Sequence, residues 1–171
     1  MTTFSPVRRL TLIAVLAAVG IALFVIESHI PMPLPFLKIG LANISSVVAL
    51  VLIGTTSMMS VVLLRVVVGA LLIGTFMSPA FLLALSAGVV SALVMGLVRK
   101  LTRNLFSVVG ISLVGAFTHS IVQLFVVRYV YVQTTVVLHL LPFLLAGALV
   151  GGLIVGAVSL RLVRALPEML R

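Results

Sequence analysis

The chain has 171 residues, 63% hydrophobic and 8% charged. A soluble domain averages about half apolar and about a quarter charged, and a fold of this size cannot hide so much apolar surface from water. Composition therefore excludes a soluble enzyme, a disordered chain and, with no cysteine, a disulfide scaffold, and it leaves an integral membrane protein whose formal charge of +9 must be read from its placement.

Six apolar segments follow one another. The first runs from about Leu10 to Glu27. The second runs from about Leu41 to Ile53 and is short unless it begins near Phe36. The others span about Met58 to Gly74, Pro79 to Val98, Ser107 to Val127 and Leu138 to Leu160. They are continuously apolar rather than alternating, which favours helices over barrel strands. The breakers agree. Gly54-Thr55-Thr56-Ser57 reads as a tight turn, and Ser78-Pro79 puts proline at a helix start, where its missing N–H costs nothing. The stretch from Ile30 to Pro35, with three prolines, cannot be helix interior.

With the N-terminus inside, Arg8, Arg9, Arg99, Lys100, Arg103, Arg161, Arg164 and Arg171 fall on one side of the membrane, and Lys38 and Arg128 on the other. This bias predicts that both termini are cytoplasmic. It explains the basic residues by topology, so no nucleic-acid partner is expected. No cleavable signal peptide is read, because the first segment lacks a small-residue cleavage site and runs into the proline loop. The expected architecture is all-α, a single six-helix transmembrane domain over residues 1–171.

The acidic residues are Glu27 and Glu168, and there is no Asp. Chemistry that needs paired carboxylates has no candidates: glycoside hydrolysis, two-metal phosphoryl transfer and Asp-rich Mg²⁺-diphosphate sites. No catalytic residue, metal site or cofactor is expected. There is no Walker motif either, so any ATP is hydrolysed elsewhere.

Small residues recur every fourth position in two segments, Ala14, Ala18 and Ala22 in the first and Ala84, Gly88, Ala92 and Gly96 in the fourth, and the sixth carries Gly147, Gly151, Gly152 and Gly156. In lipid such spacing marks close helix contact. For the fourth and sixth segments the simple reading is packing within the bundle. On an ideal helix Glu27 lies about 180° from the alanine stripe, so one face of the first segment can meet another subunit while the other faces inward.

Arg65 is the sharpest residue, since an arginine at mid-bilayer depth costs about 2.5–3.5 kcal/mol on insertion scales. It must face the bundle, a cavity or a partner. Two roles are open to it: a clamp on helix-end carbonyls or Glu27, or a cation that receives an anionic ligand group. His119 and Gln123 lie four apart and share a face, which Ser112 and Gly115 extend. His119 is a candidate ligand contact or a hydrogen-bonded core residue. It is not a metal ligand, because no second ligand has suitable spacing. The loop from Pro31 to Lys38, followed by a hinge at Gly40, suits a lid over an outward pocket or a connector that stops two helices. Asn43 and Ser46 share a face just beyond it.

Three stretches carry a resemblance: Lys38-Ile39-Gly40-Leu41-Ala42-Asn43-Ile44, then Leu64-Arg65-Val66-Val67-Val68-Gly69, then Gly110 to His119. They resemble the Gx transporter family of bacterial membrane proteins, also labelled heptaprenyl diphosphate synthase component I. More broadly the chain looks like the substrate-binding S component of energy-coupling factor (ECF) transporters. That resemblance implies a six-helix protein of the bacterial cell membrane that binds a vitamin or similar nutrient near its outer face. It also implies docking through an alanine stripe, here Ala14, Ala18 and Ala22, onto a transmembrane coupling subunit powered by two ATP-binding cassette ATPases. The expected substrate contacts are Lys38, Asn43, Arg65, His119 and Gln123. The biosynthetic label conflicts with the sequence, because a prenyl diphosphate synthase needs Asp-rich motifs. The alternatives are a non-catalytic membrane subunit of isoprenoid or quinone synthesis and a small stand-alone transporter. Counting Lys38, Arg65, Arg128 and His119 against Glu27 predicts an anionic or amphiphilic small-molecule substrate.

Overall fold

The computed structural model describes residues 5–31, 40–102 and 105–169, with side chains to Leu166. It contains six α-helices: α1 Pro6–Ser28, α2 Asn43–Ile53, α3 Thr55–Leu72, α4 Pro79–Leu101, α5 Val108–Val126 and α6 Leu141–Met169. A π-helical turn Val127–Val132 and a 3-10 turn Thr135–Leu140 join the last two. No strand occurs among the described residues.

Helix starts follow local chemistry. Ser5, Ser78 and Ser107 cap α1, α4 and α5 by accepting the N–H groups of Arg8, Phe81 and Gly110. Proline takes the first position in α1 and α4, where no N–H is needed. The expected turn over residues 54–57 contracts to one residue. Gly54, at φ +102°, breaks the chain, and α3 resumes at Thr55. α6 outruns the sixth apolar segment by nine residues. Beyond Leu160 the helix turns amphipathic: Arg161 and Arg164 are exposed, while Val163 and Leu166 pack onto the core. Charge ends an apolar run without ending a helix.

Among the described residues, five segments are long and apolar enough to cross a membrane: α1, α3, α4, α5 with its π turn, and α6 with its 3-10 turn. Their outward faces carry exposed leucine, valine and phenylalanine, as lipid contact requires. The protein is a polytopic membrane bundle. α2 differs. Its 11 residues rise only ~16 Å, about half of a ~30 Å hydrocarbon core. It is surrounded by α1, α3, α5 and α6, and Val47 to Leu50 are fully buried. The second apolar segment is thus the core of the bundle.

Close contacts show that the helices alternate in direction. Arg9 Nε donates to Ser57 Oγ (2.9 Å), so the starts of α1 and α3 adjoin. Arg99 Nη2 donates to the Val51 carbonyl (3.2 Å), so the ends of α4 and α2 adjoin; a cation at a helix C-terminus is well placed. Gly156 packs on Val109 at the start of α5. Arg8, Arg9, Arg99, Lys100, Arg161 and Arg164 therefore gather at one end. The glycine stripes work inside the bundle. A Cβ at Gly88 would meet Val62 at 3.2 Å, and one at Gly152 would meet Leu113 and Ala116 at 3.0 Å. Ala14, Ala18 and Ala22 are all exposed, opposite the buried Leu16, Ala17, Gly20, Phe24 and Glu27.

Candidate functional site

The end of the bundle away from the basic cluster encloses a cavity of about 250 Å³. Phe24 and Glu27 of α1, Gly40, Ala42 and Asn43 at the start of α2, and Arg65 and Val66 of α3 line one side. Pro79, Ala80, Leu83 and Ala84 of α4 and His119 and Gln123 of α5 line the other. Four of the five expected contacts (Asn43, Arg65, His119 and Gln123) meet here. The fifth, Lys38, and the proline-rich part of the expected lid lie outside the described residues.

Each polar side chain is brought in for a physical reason. Arg65 stands near the middle of α3, is 3% exposed, and faces inward because lipid cannot solvate it. Its stem passes α1 at Gly20, where a Cβ would approach Arg65 Cδ to 3.1 Å. Its Nη2 donates to Asn43 Oδ1 (3.0 Å), and its buried Nε has no hydrogen-bond partner among the described residues. A guanidinium carries five N–H donors, so Arg65 keeps capacity for a ligand. His119 and Gln123 sit one turn apart on the inward face of α5, and Gln123 is buried. Asn43 also lines a smaller cavity of about 20 Å³, roughly the room of one water. Ser91 and Ser112 lie on its wall.

Glu27 was not among the expected substrate contacts, yet it is the carboxylate of the cavity. Its side chain accepts the Gly40 N–H, and its carbonyl accepts the Ile30 N–H (3.3 Å). It thus ties down both flanks of the proline loop. The signal in the sequence was plain: it is the only acid within an apolar segment. Gly20 and Phe24 carried no such signal. Arg128 packs over the Tyr129 ring, 5.2 Å from its centroid, and does not line the cavity. Among the described residues, one guanidinium and one carboxylate line the cavity, while Lys38 lies outside them.

The family described as heptaprenyl diphosphate synthase component I matches residues 16–162, which is most of the chain. The chain belongs to that family. The match runs from α1 to α6 and includes every residue of the cavity wall. No curated protein and no solved structure matches the chain. As a family member it is a membrane protein whose family description names it as one component of a larger activity.

Proposed function

We propose that this family member is the substrate-binding membrane subunit of a bacterial uptake transporter, organised like an ECF S component. In this reading it sits in the cytoplasmic membrane with both termini inside and carries a small anionic or amphiphilic metabolite. The observation that supports this best is the convergence of Arg65, Asn43, His119 and Gln123, with Glu27, on one cavity whose remaining described walls are apolar. A few convergent polar groups in an apolar pocket are what ligand binding requires. Lys38, with the loop before it, would close the mouth. Movement of the bundle against an energised partner would then release the cargo inside.

The outward alanines support partner docking through α1, because a flat small-residue face lets a second helix approach closely. The partners would be a transmembrane coupling subunit and two ATP-binding cassette ATPases. The role is carriage rather than catalysis, since no Asp is available to hold Mg²⁺ and diphosphate. The family description favours a second reading, a non-catalytic membrane partner of a prenyl diphosphate synthase. The cavity speaks against a long prenyl chain as its occupant: about 250 Å³ falls at the small end of ligand pockets, which run ~300–1,000 Å³.

The test is to purify the protein in detergent, denature it and identify released small molecules by mass spectrometry. A stoichiometric metabolite is expected from the wild type. Arg65→Gln should lower its occupancy by about tenfold or more while shifting Tm little, since the desolvation cost removed offsets the bond lost to Asn43. Unchanged occupancy with a large drop in Tm would assign Arg65 to the scaffold. Affinity capture separates the two readings: the first expects ATPase subunits, the second a soluble prenyltransferase.

A further inference from the structure

Glu27 and Arg65 line the same cavity, and both are almost completely buried. Were they each other's partners, the planar guanidinium would take the carboxylate through two parallel N–H bonds. Instead the Arg65 bond goes to Asn43 and the Glu27 bond goes to Gly40. Each is fixed by a different neighbour. They also enter at different heights. The Arg65 stem crosses α1 at Gly20, and Glu27 lies seven residues, or about 10 Å, further along the helix. Phe24 stands between them on the same face and lines the cavity.

We infer that the ligand is amphoteric. It is a small molecule with an anionic group received by Arg65, an amine received by Glu27, and an apolar body against Phe24, Val66 and Leu83. The inference rests on the substrate-binding reading above and sharpens it. A buried charge left without a partner is costly. A ligand bearing only an anion would meet Arg65 and leave the Glu27 side of the cavity without a counter-charge; one bearing only an amine would do the reverse. A ligand with both charges satisfies both walls and enters with no net charge. Asn43, His119 and Gln123 add hydrogen-bonding groups to the same cavity wall. The volume fits roughly eight to twelve non-hydrogen atoms at organic packing density.

The test uses matched triads that differ only in charge: phenylalanine, 3-phenylpropanoate and 2-phenylethylamine, and leucine, 4-methylpentanoate and 3-methylbutylamine. Affinities are measured by calorimetry on the full chain in detergent, with the ligand-free Tm of every variant recorded. In at least one triad the amino acid should bind about tenfold more tightly than both relatives. Glu27→Gln should reduce that amino acid to the affinity of its deaminated acid. Glutamine still offers an oxygen to the Gly40 N–H, so this variant should keep its Tm. Arg65→Gln should reduce the amino acid to the affinity of the amine. A deaminated acid that binds as tightly as its amino acid, in an Arg65-dependent way, overturns the amphoteric ligand and leaves the uptake reading standing. An amine that binds tightest overturns it too. If no probe binds, the amphoteric inference falls; if the purified protein also releases no metabolite, the uptake reading falls with it.

Discussion

Gly20→Ala adds a single methyl group and should destabilise the bundle, although alanine is the better helix former. A Cβ at Gly20 would stand 3.1 Å from Arg65 Cδ, 3.3 Å from Ser45 Cβ and closer still to Ser45 Oγ. Ser45 is fully packed, and its hydroxyl donates to the Ala42 carbonyl at 3.0 Å. Rotating it away costs that bond, about 0.5–1.5 kcal/mol. Overpacking against the Arg65 stem costs about 1–3 kcal/mol. Helix propensity returns up to ~1 kcal/mol. The balance is a destabilisation of about 0.5–4.5 kcal/mol. Thermal unfolding in detergent, run as a double-mutant cycle with Ser45→Ala, is the assay. The double variant should recover part of the loss, because the closest clash partner is gone and the two sites couple. Ligand affinity should fall in Gly20→Ala as the arginine stem is displaced. A Gly20→Ala variant as stable as the wild type, or more stable, would show that α1 does not pack on Arg65 as described.

Ser112→Val should cost about 1–3 kcal/mol, because it removes the only side-chain donor described for the Gly152 carbonyl (2.9 Å) and buries a branched group in its place; thermal melting in detergent checks it. Ala18→Leu should leave Tm and ligand occupancy unchanged, since Ala18 is exposed. It should abolish capture of a coupling subunit; collapse of the isolated protein would instead make the stripe internal packing. A reporter fused after Arg171 should read as cytoplasmic, as the clustering of basic residues at one end implies; an external signal would overturn the orientation. Arg99→Gln should destabilise modestly, by about 0.5–2 kcal/mol, through the lost cation at the C-terminus of α2.

Much of this protein was determined by its amino-acid sequence alone. Apolar content dictated a membrane bundle, and proline, serine and Gly54 set where helices begin and break. The cost of a polar group in lipid dictated that Arg65, Asn43, His119 and Gln123 face inward, and four inward-facing groups in a small bundle converge on one cavity. Tertiary structure decided the rest. Hydrophobicity cannot tell lipid contact from protein contact, so the central burial of α2 was not legible, although its short length was. The contacts that shape the cavity join residues far apart in the chain: Arg65 with Asn43, Glu27 with Gly40, and Gly20 with Ser45 and Arg65. Each depends on how closely two helices approach and at what height, and neither quantity is carried by the periodicity of one helix. A count of charges along the chain therefore suggested an excess of cations at the site. Among the described residues, packing placed one guanidinium and one carboxylate on the cavity wall, each held by a different neighbour, and left Arg128 over a tyrosine ring.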